Sequence, residues 1–62
     1  MTLRQMLELI DGDTPIYVIF DDGKDVSSSD AQNLGLLLDS GYLDLKIEQV
    51  GCSDNQIKIW TE

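Results

Sequence analysis

In the last third of the chain apolar side chains recur at every second position on either side of a turn, and this alternation constrains the fold more than any other feature. Leu43, Leu45 and Ile47 alternate with Asp44, Lys46 and Glu48; after Gly51-Cys52-Ser53-Asp54-Asn55, Ile57 and Ile59 alternate with Gln56, Lys58 and Trp60. A period of two is the mark of a strand buried on one side only. The expectation is an antiparallel hairpin with one wet face, turning at 51–55, whose dry face something else must cover.

Two amphipathic stretches are suited to cover it. Residues 2–10 carry Leu3, Met6, Leu7 and Ile10 at helical spacing, and Thr2 with Gln5 has the spacing of a capping box. Asp11-Gly12-Asp13 stops this helix and Thr14-Pro15 leads into an extended segment. Further on, Ser27-Ser28-Ser29 leads into a second helix with Ser29 and Gln32 as a second capping box. Its buried stripe is Ala31, Leu34, Leu37 and Leu38, and Ser40-Gly41 ends it with Gly41 as a left-handed cap. Gly35 within that helix costs about 1 kcal/mol relative to alanine, which predicts close packing against a neighbour.

Ile16-Tyr17-Val18-Ile19-Phe20 reads as a strand from its β-branched and aromatic content, and Asp21-Asp22-Gly23 as a hairpin turn. A three-residue turn pairs Val18 with Val26 and gathers Ile16, Val18, Phe20 and Val26 on one face, leaving Tyr17 and Ile19 on the other. A two-residue turn would leave Phe20 facing Asp25, so the longer turn is preferred. The element order is α-β-β-α-β-β. The expected fold is a single α+β domain over residues 1–62, a four-stranded antiparallel sheet with two helices on one face.

Size and charge limit function. A domain this short buries only roughly 60% of the surface its unfolded chain exposes, so its stability margin is thin. Cys52 is the one cysteine, which excludes an internal disulfide and fits a reducing compartment. There is no histidine to activate a nucleophile and no phosphate-cradling glycine loop, so the chain is expected not to be an enzyme. The Asp-Gly stretches lack the spacing of a calcium loop and read as turns, so neither metal nor cofactor is expected. No apolar run approaches a membrane span and no signal-peptide pattern opens the chain. The expected location is the cytoplasm, with no membrane contact.

Twelve acidic residues against four basic ones give a formal charge of -8. Such a field repels nucleic acid and anionic membranes and steers encounters with basic surfaces. Arg4, Lys24, Lys46 and Lys58 are scattered, so direct nucleic-acid binding is not expected. The candidate partner-binding residues are Asp21, Asp22, Asp25, Asp44 and Glu48 as charge, with Tyr17 and Trp60 as aromatic anchors. Asp44, Glu48, Lys46, Lys58, Trp60, Tyr17 and Ile19 are expected to share the outer face of the sheet. The blander alternatives are that the acids serve solubility and that Trp60 and Ile19 cover the edge of a small core or pair across a homodimer.

The opening residues 1–14, MTLRQMLELIDGDT, followed by the strand from Ile16 to Phe20, resemble a group of very short proteins encoded in phages and prophages of Gram-positive bacteria. The resemblance brings no catalytic residues. It implies a host-cell cytoplasmic setting and a stoichiometric inhibitor of a bacterial defence or nucleic-acid-binding protein, in the manner of anti-CRISPR proteins that mimic DNA charge. A self-assembling structural or accessory module and an oligomeric trap for a nucleotide signal are the alternatives from other classes.

Overall fold

The computed structural model describes all 62 residues as one α+β layer structure. Its elements in chain order are α1 (Leu3–Leu9), β1 (Ile16–Ile19), β2 (Asp25–Ser28), α2 (Ala31–Leu37), α3 (Ser40–Leu43), β3 (Ile47–Ser53) and β4 (Gln56–Thr61). The strands form one sheet in the order β2-β1-β4-β3. Both hairpins are antiparallel, but β1 and β4 run parallel, so the sheet is mixed and not antiparallel throughout. Three helices, not two, contribute to the covering layer. The central place of β1 and β4 has a physical origin in burial. The central pair β1 and β4 holds Ile16, Val18 and Ile59, all fully buried, whereas the edge strands β2 and β3 have no buried residue. Placing the two strands that carry the buried residues side by side puts them at the centre of the sheet.

The first hairpin has the expected register, with Val18 opposite Val26 and Ile16 opposite Ser28. Its loop is the three-residue Asp21-Asp22-Gly23, closed by Phe20 N–H donating to Lys24 C=O at 2.8 Å. Gly23 takes the left-handed conformation at φ 89°, the arrangement such loops require at that position. The second hairpin turns later than expected. Gly51 to Ser53 belong to β3, and the turn is Asp54-Asn55 alone, at φ 54° and 62°. Two left-handed central residues match the right-handed twist of the flanking strands, and Asp and Asn tolerate that conformation.

The helical caps divide in the same way. Thr2 caps α1 with the expected capping box, accepting from Gln5 N–H while the Gln5 side chain accepts from Thr2 N–H. For α2 the cap is Asp30 and not Ser29; its carboxylate accepts from Gln32 and Asn33 N–H groups. An aspartate satisfies two orphan donors and adds charge favourable to the helix start. Ser27 and Ser28 lie in β2 instead of leading into the helix. Nor does Gly41 cap α2 in a left-handed conformation: the helix ends at Leu37, and Gly41 lies within the short α3. Leu43 therefore sits on a helix and not a strand, and Asp44 is the residue that ends it.

One core unites these elements: Leu3 from α1, Ala31 and Leu34 from α2, Leu43 from α3, and Ile16, Val18, Phe20 and Ile59 from the sheet side. Leu38 packs at its margin, whereas Leu37 is exposed, contrary to the helical stripe expected for it. The loop after α1 docks on α2 through Gln32 N–H donating to Gly12 C=O. A Cβ on Gly12 would lie 3.0 Å from the Gln32 Oε1, which accounts for glycine at that close approach. Gly35 has no such reason, since a Cβ there would meet only Leu7 Cδ1 at an ordinary 3.9 Å.

Candidate functional site

The residues singled out in the sequence fall into three places. Tyr17, Asp25 and Trp60 share the outer face of the sheet; Asp21 and Asp22 line a cleft at one end of the sheet; Asp44 belongs to neither. Asp44 was expected beside Lys46 on an outer strand face, but α3 carries it to the helical layer. There it accepts from Arg4 Nη2 at 3.1 Å, the one ion pair in the chain. Glu48 stands at a bulge in β3, where the pairing shifts between Ile47 and Gln49, and is exposed.

The outer face is built on the odd parity of β1. Register sets Tyr17 beside Lys58 and Ile19 beside Trp60. The Tyr17 hydroxyl donates to Asp25 Oδ2 at 2.7 Å across the β1–β2 pair, and Lys58 Nζ lies 6.0 Å from the centre of the Tyr17 ring. The bond to the Asp25 carboxylate raises the Tyr17 phenol above its ordinary value of 10.0, with burial and the carboxylate's charge acting in the same direction. Ionising the phenol would lose the bond and place two anions together. Trp60 lies against the edge strand: a Cβ on Gly51 would come within 3.4 Å of its Cζ3. The ring thus covers the glycine of a neighbouring strand, the role that aromatic residues play beside glycines at sheet edges.

The cleft is assembled from four separate stretches of chain. Phe20 and the turn residues Asp21 and Asp22 come from the first hairpin, Asp39, Gly41 and Tyr42 from the α2–α3 corner, Leu45 from the segment before β3, and Glu62 follows β4. Its volume is about 470 Å³. The Phe20 and Tyr42 rings meet at 4.7 Å between centroids and a 48° tilt, forming an apolar floor. Asp21, Asp22, Asp39 and Glu62 supply four carboxylates around it, and none is ion-paired within the chain. Lys24 is the basic group recorded beside the cleft, with Nζ 3.5 Å from the Tyr42 hydroxyl. No three His, Cys, Asp or Glu side chains of the protein converge as a metal-holding group. Cys52 is a free, exposed thiol on β3, away from these residues in the register.

Asp39, Tyr42 and Glu62 were not singled out in the sequence. Tyr42 carried the detectable signal: an aromatic residue just before the alternating segment that the strand reading did not use. No helix of the structure is long and apolar enough to cross a membrane. No protein-family model, curated protein or solved structure matches the chain.

Proposed function

We propose that this chain is a small acidic binding protein that occupies a basic surface of another protein, without chemistry of its own. The observation that carries the reading is the gathering of four carboxylates free of ion pairs around the Phe20–Tyr42 floor, in a chain of formal charge -8. Charge of one sign displayed on a hydrogen-bonded scaffold accelerates encounter with an oppositely charged partner, and aromatic side chains supply anchoring contact. Asp21 and Asp22 remain in the proposed interface, now joined by Asp39 and Glu62. Tyr17, Asp25 and Trp60 lie apart from it on the outer face of the sheet and Glu48 at the β3 bulge, and Asp44 leaves the set because it pairs with Arg4 in the helical layer.

The resemblance of the first twenty residues to short phage and prophage proteins supports a class of target. In this reading the partner is a bacterial defence or nucleic-acid-binding protein whose cationic channel accepts carboxylates in place of phosphates. Affinity capture from a bacterial lysate at low and high salt tests it. The expected outcome is a nucleic-acid-binding protein retained at low salt, released at high salt, and displaced by duplex DNA. Recovery that is indifferent to salt, or a partner that still binds DNA fully while holding this chain, would remove the mimicry reading.

A further inference from the structure

The two edges of the sheet differ in what they leave open. On β2, Phe20 N–H donating to Lys24 C=O fixes the alternation, so Asp25 and Ser27 alone turn their backbone groups outward, and a charged side chain on an edge discourages pairing. β3 is longer, and its beginning is covered: Met1 C=O accepts from Ile47 N–H, Leu45 C=O accepts from Leu3 N–H, and Thr2 bridges Lys46 in the antiparallel sense. Beyond the bulge at Glu48 that cover ends. Ile57 N–H donates to Pro15 C=O beside β1, so Gln56, Lys58 and Trp60 are the β4 residues whose backbone groups face β3. Their partners Ser53, Gly51 and Gln49 are thereby satisfied. Val50 and Cys52, between them, point N–H and C=O away from the sheet with no partner in the chain. We infer that this open edge pairs with the same edge of a second copy of the chain, antiparallel about a twofold axis at Gly51, so that two sheets become one. The inference goes beyond the binding of a basic surface and does not rest on it.

The geometry of the edge selects a second copy as its occupant. The open positions lie symmetrically on either side of Gly51, so Val50 of one copy falls opposite Cys52 of the other, and each outward N–H meets a C=O. Gly51 has no side chain to collide with its counterpart on the axis. The Trp60 ring lies against it, 3.4 Å from where a Cβ would stand, so the two rings flank the axis on the outer face. Gln49 to Ser53 is uncharged in a chain of formal charge -8, so a like-charged copy meets no acid along that stretch and a basic segment finds no counter-ion in it. Val50 and Cys52 take the helical side by their pairing with Ile59 and Ile57, yet both are exposed, since the helical layer does not reach the β3 edge. Exposed Leu9 lies about 200° around α1 from Leu7. Leu7 faces Gly35 of α2, so Leu9 turns toward the β3 side, where α1 begins. Pairing covers apolar side chains and open backbone together. It also brings Glu48 of one copy level with Asp54 of the other, and this contact, with the net charge, makes association stronger as salt rises.

The test is sedimentation equilibrium of the full chain up to about millimolar concentration, at about 0.02 M and about 0.3 M salt, with amide hydrogen exchange followed by NMR. The expected result is a monomer–dimer equilibrium whose dissociation constant falls roughly two- to tenfold at the higher salt. Exchange at Val50 and Cys52 should slow as concentration rises. Val50→Lys places a charge on the open edge at an exposed position, and should weaken the dimer roughly tenfold or more while the circular dichroism spectrum is kept. Cys52→Pro removes an outward N–H alone and should weaken it by roughly the same factor. Leu36→Lys, at an exposed apolar position on α2, should leave it unchanged. A chain that stays monomeric throughout, a dimer indifferent to both edge variants, or one whose Val50 and Cys52 amides exchange at the monomer rate would each overturn the inference. Protection of those amides in a monomeric chain by added oligolysine would assign the edge to a basic strand and overturn it as well. Should a variant fail to fold, the exchange measurement on the unaltered chain decides alone. Capture of a basic partner weakens with salt, the opposite sign, so failure here and failure of the binding reading are told apart.

Discussion

Strands β1 and β4 carry two rows of side chains that differ only in the parity of their positions. On one side Ile16 and Val18 lie beside Ile57 and Ile59, sealed by Leu3, Ala31, Leu34 and Leu43 from the helices. On the other, Tyr17 and Ile19 lie beside Lys58 and Trp60, half-buried and with no helix above them. The first row is purely aliphatic. The second is built from side chains with an apolar body and, in most cases, a polar tip, and its tips find partners within the face: Tyr17 with Asp25, Lys58 over Tyr17. The difference shows how so small a domain can leave one sheet face open to water. Residues that shield the backbone while keeping their polar ends wet stand in for a second covering layer.

The largest effect that would test this contrast comes from the inner row. Ile59→Ala should destabilise by about 2–5 kcal/mol, comparable to the whole margin of a domain of this size. The expected outcome is loss of a cooperative thermal transition followed by circular dichroism. Trp60→Ala, on the outer row, should cost less, roughly 1–2 kcal/mol, and keep a cooperative transition at lower temperature. Equal losses from the two variants would mean that the outer face is part of the core, and the comparison would fail.

A smaller change sharpens the inner row itself. Thr61 extends that row with a hydroxyl that has no partner. Thr61→Val, of the same shape, should raise stability by about 1 kcal/mol in urea unfolding; a loss would show that the hydroxyl is satisfied in the free protein.

The smallest effect concerns the Tyr17–Asp25 bond. A phenol raised above its ordinary value in the folded chain contributes stability that is fully present below the unfolded value near pH 10 and lost as pH rises through the folded value. Tyr17 should therefore develop its tyrosinate absorbance above pH 10, and Asp25→Asn should bring that titration down. If Asp25→Asn leaves the titration unchanged, the outer row is not held together by that bond.

Much of the local architecture was legible in the sequence. The capping box of Thr2 and Gln5, the Val18–Val26 register and the parity of Tyr17, Ile19 and Trp60 all follow from short-range spacing, and the structure has them. The segment 38–46 was misread because Leu43 and Leu45 satisfy a strand pattern as readily as they terminate a helix. Short apolar runs are ambiguous between the two, and packing of Leu43 into the core decided it. The turn of the second hairpin was placed too broadly because Gly51, Cys52 and Ser53 look like loop residues. Trp60 compensates for the glycine there and lets the strand continue. The site was half legible: the acids at 21 and 22 were visible as a turn, but their companions Asp39, Tyr42 and Glu62 are far from them along the chain.

The sequence by itself determined the elements whose signals are local: period, cap, turn residue and the sign of the charge. Only the tertiary structure decided that β4 lies parallel beside β1, because strand neighbours are chosen by which pairing buries the most apolar surface, and no window of adjacent residues contains that choice. The same pairing brings the segment around Glu62 to the turn after Phe20 and so creates the acidic, aromatic-floored cleft. Its ingredients were present in the chain, and the long-range packing made them one site.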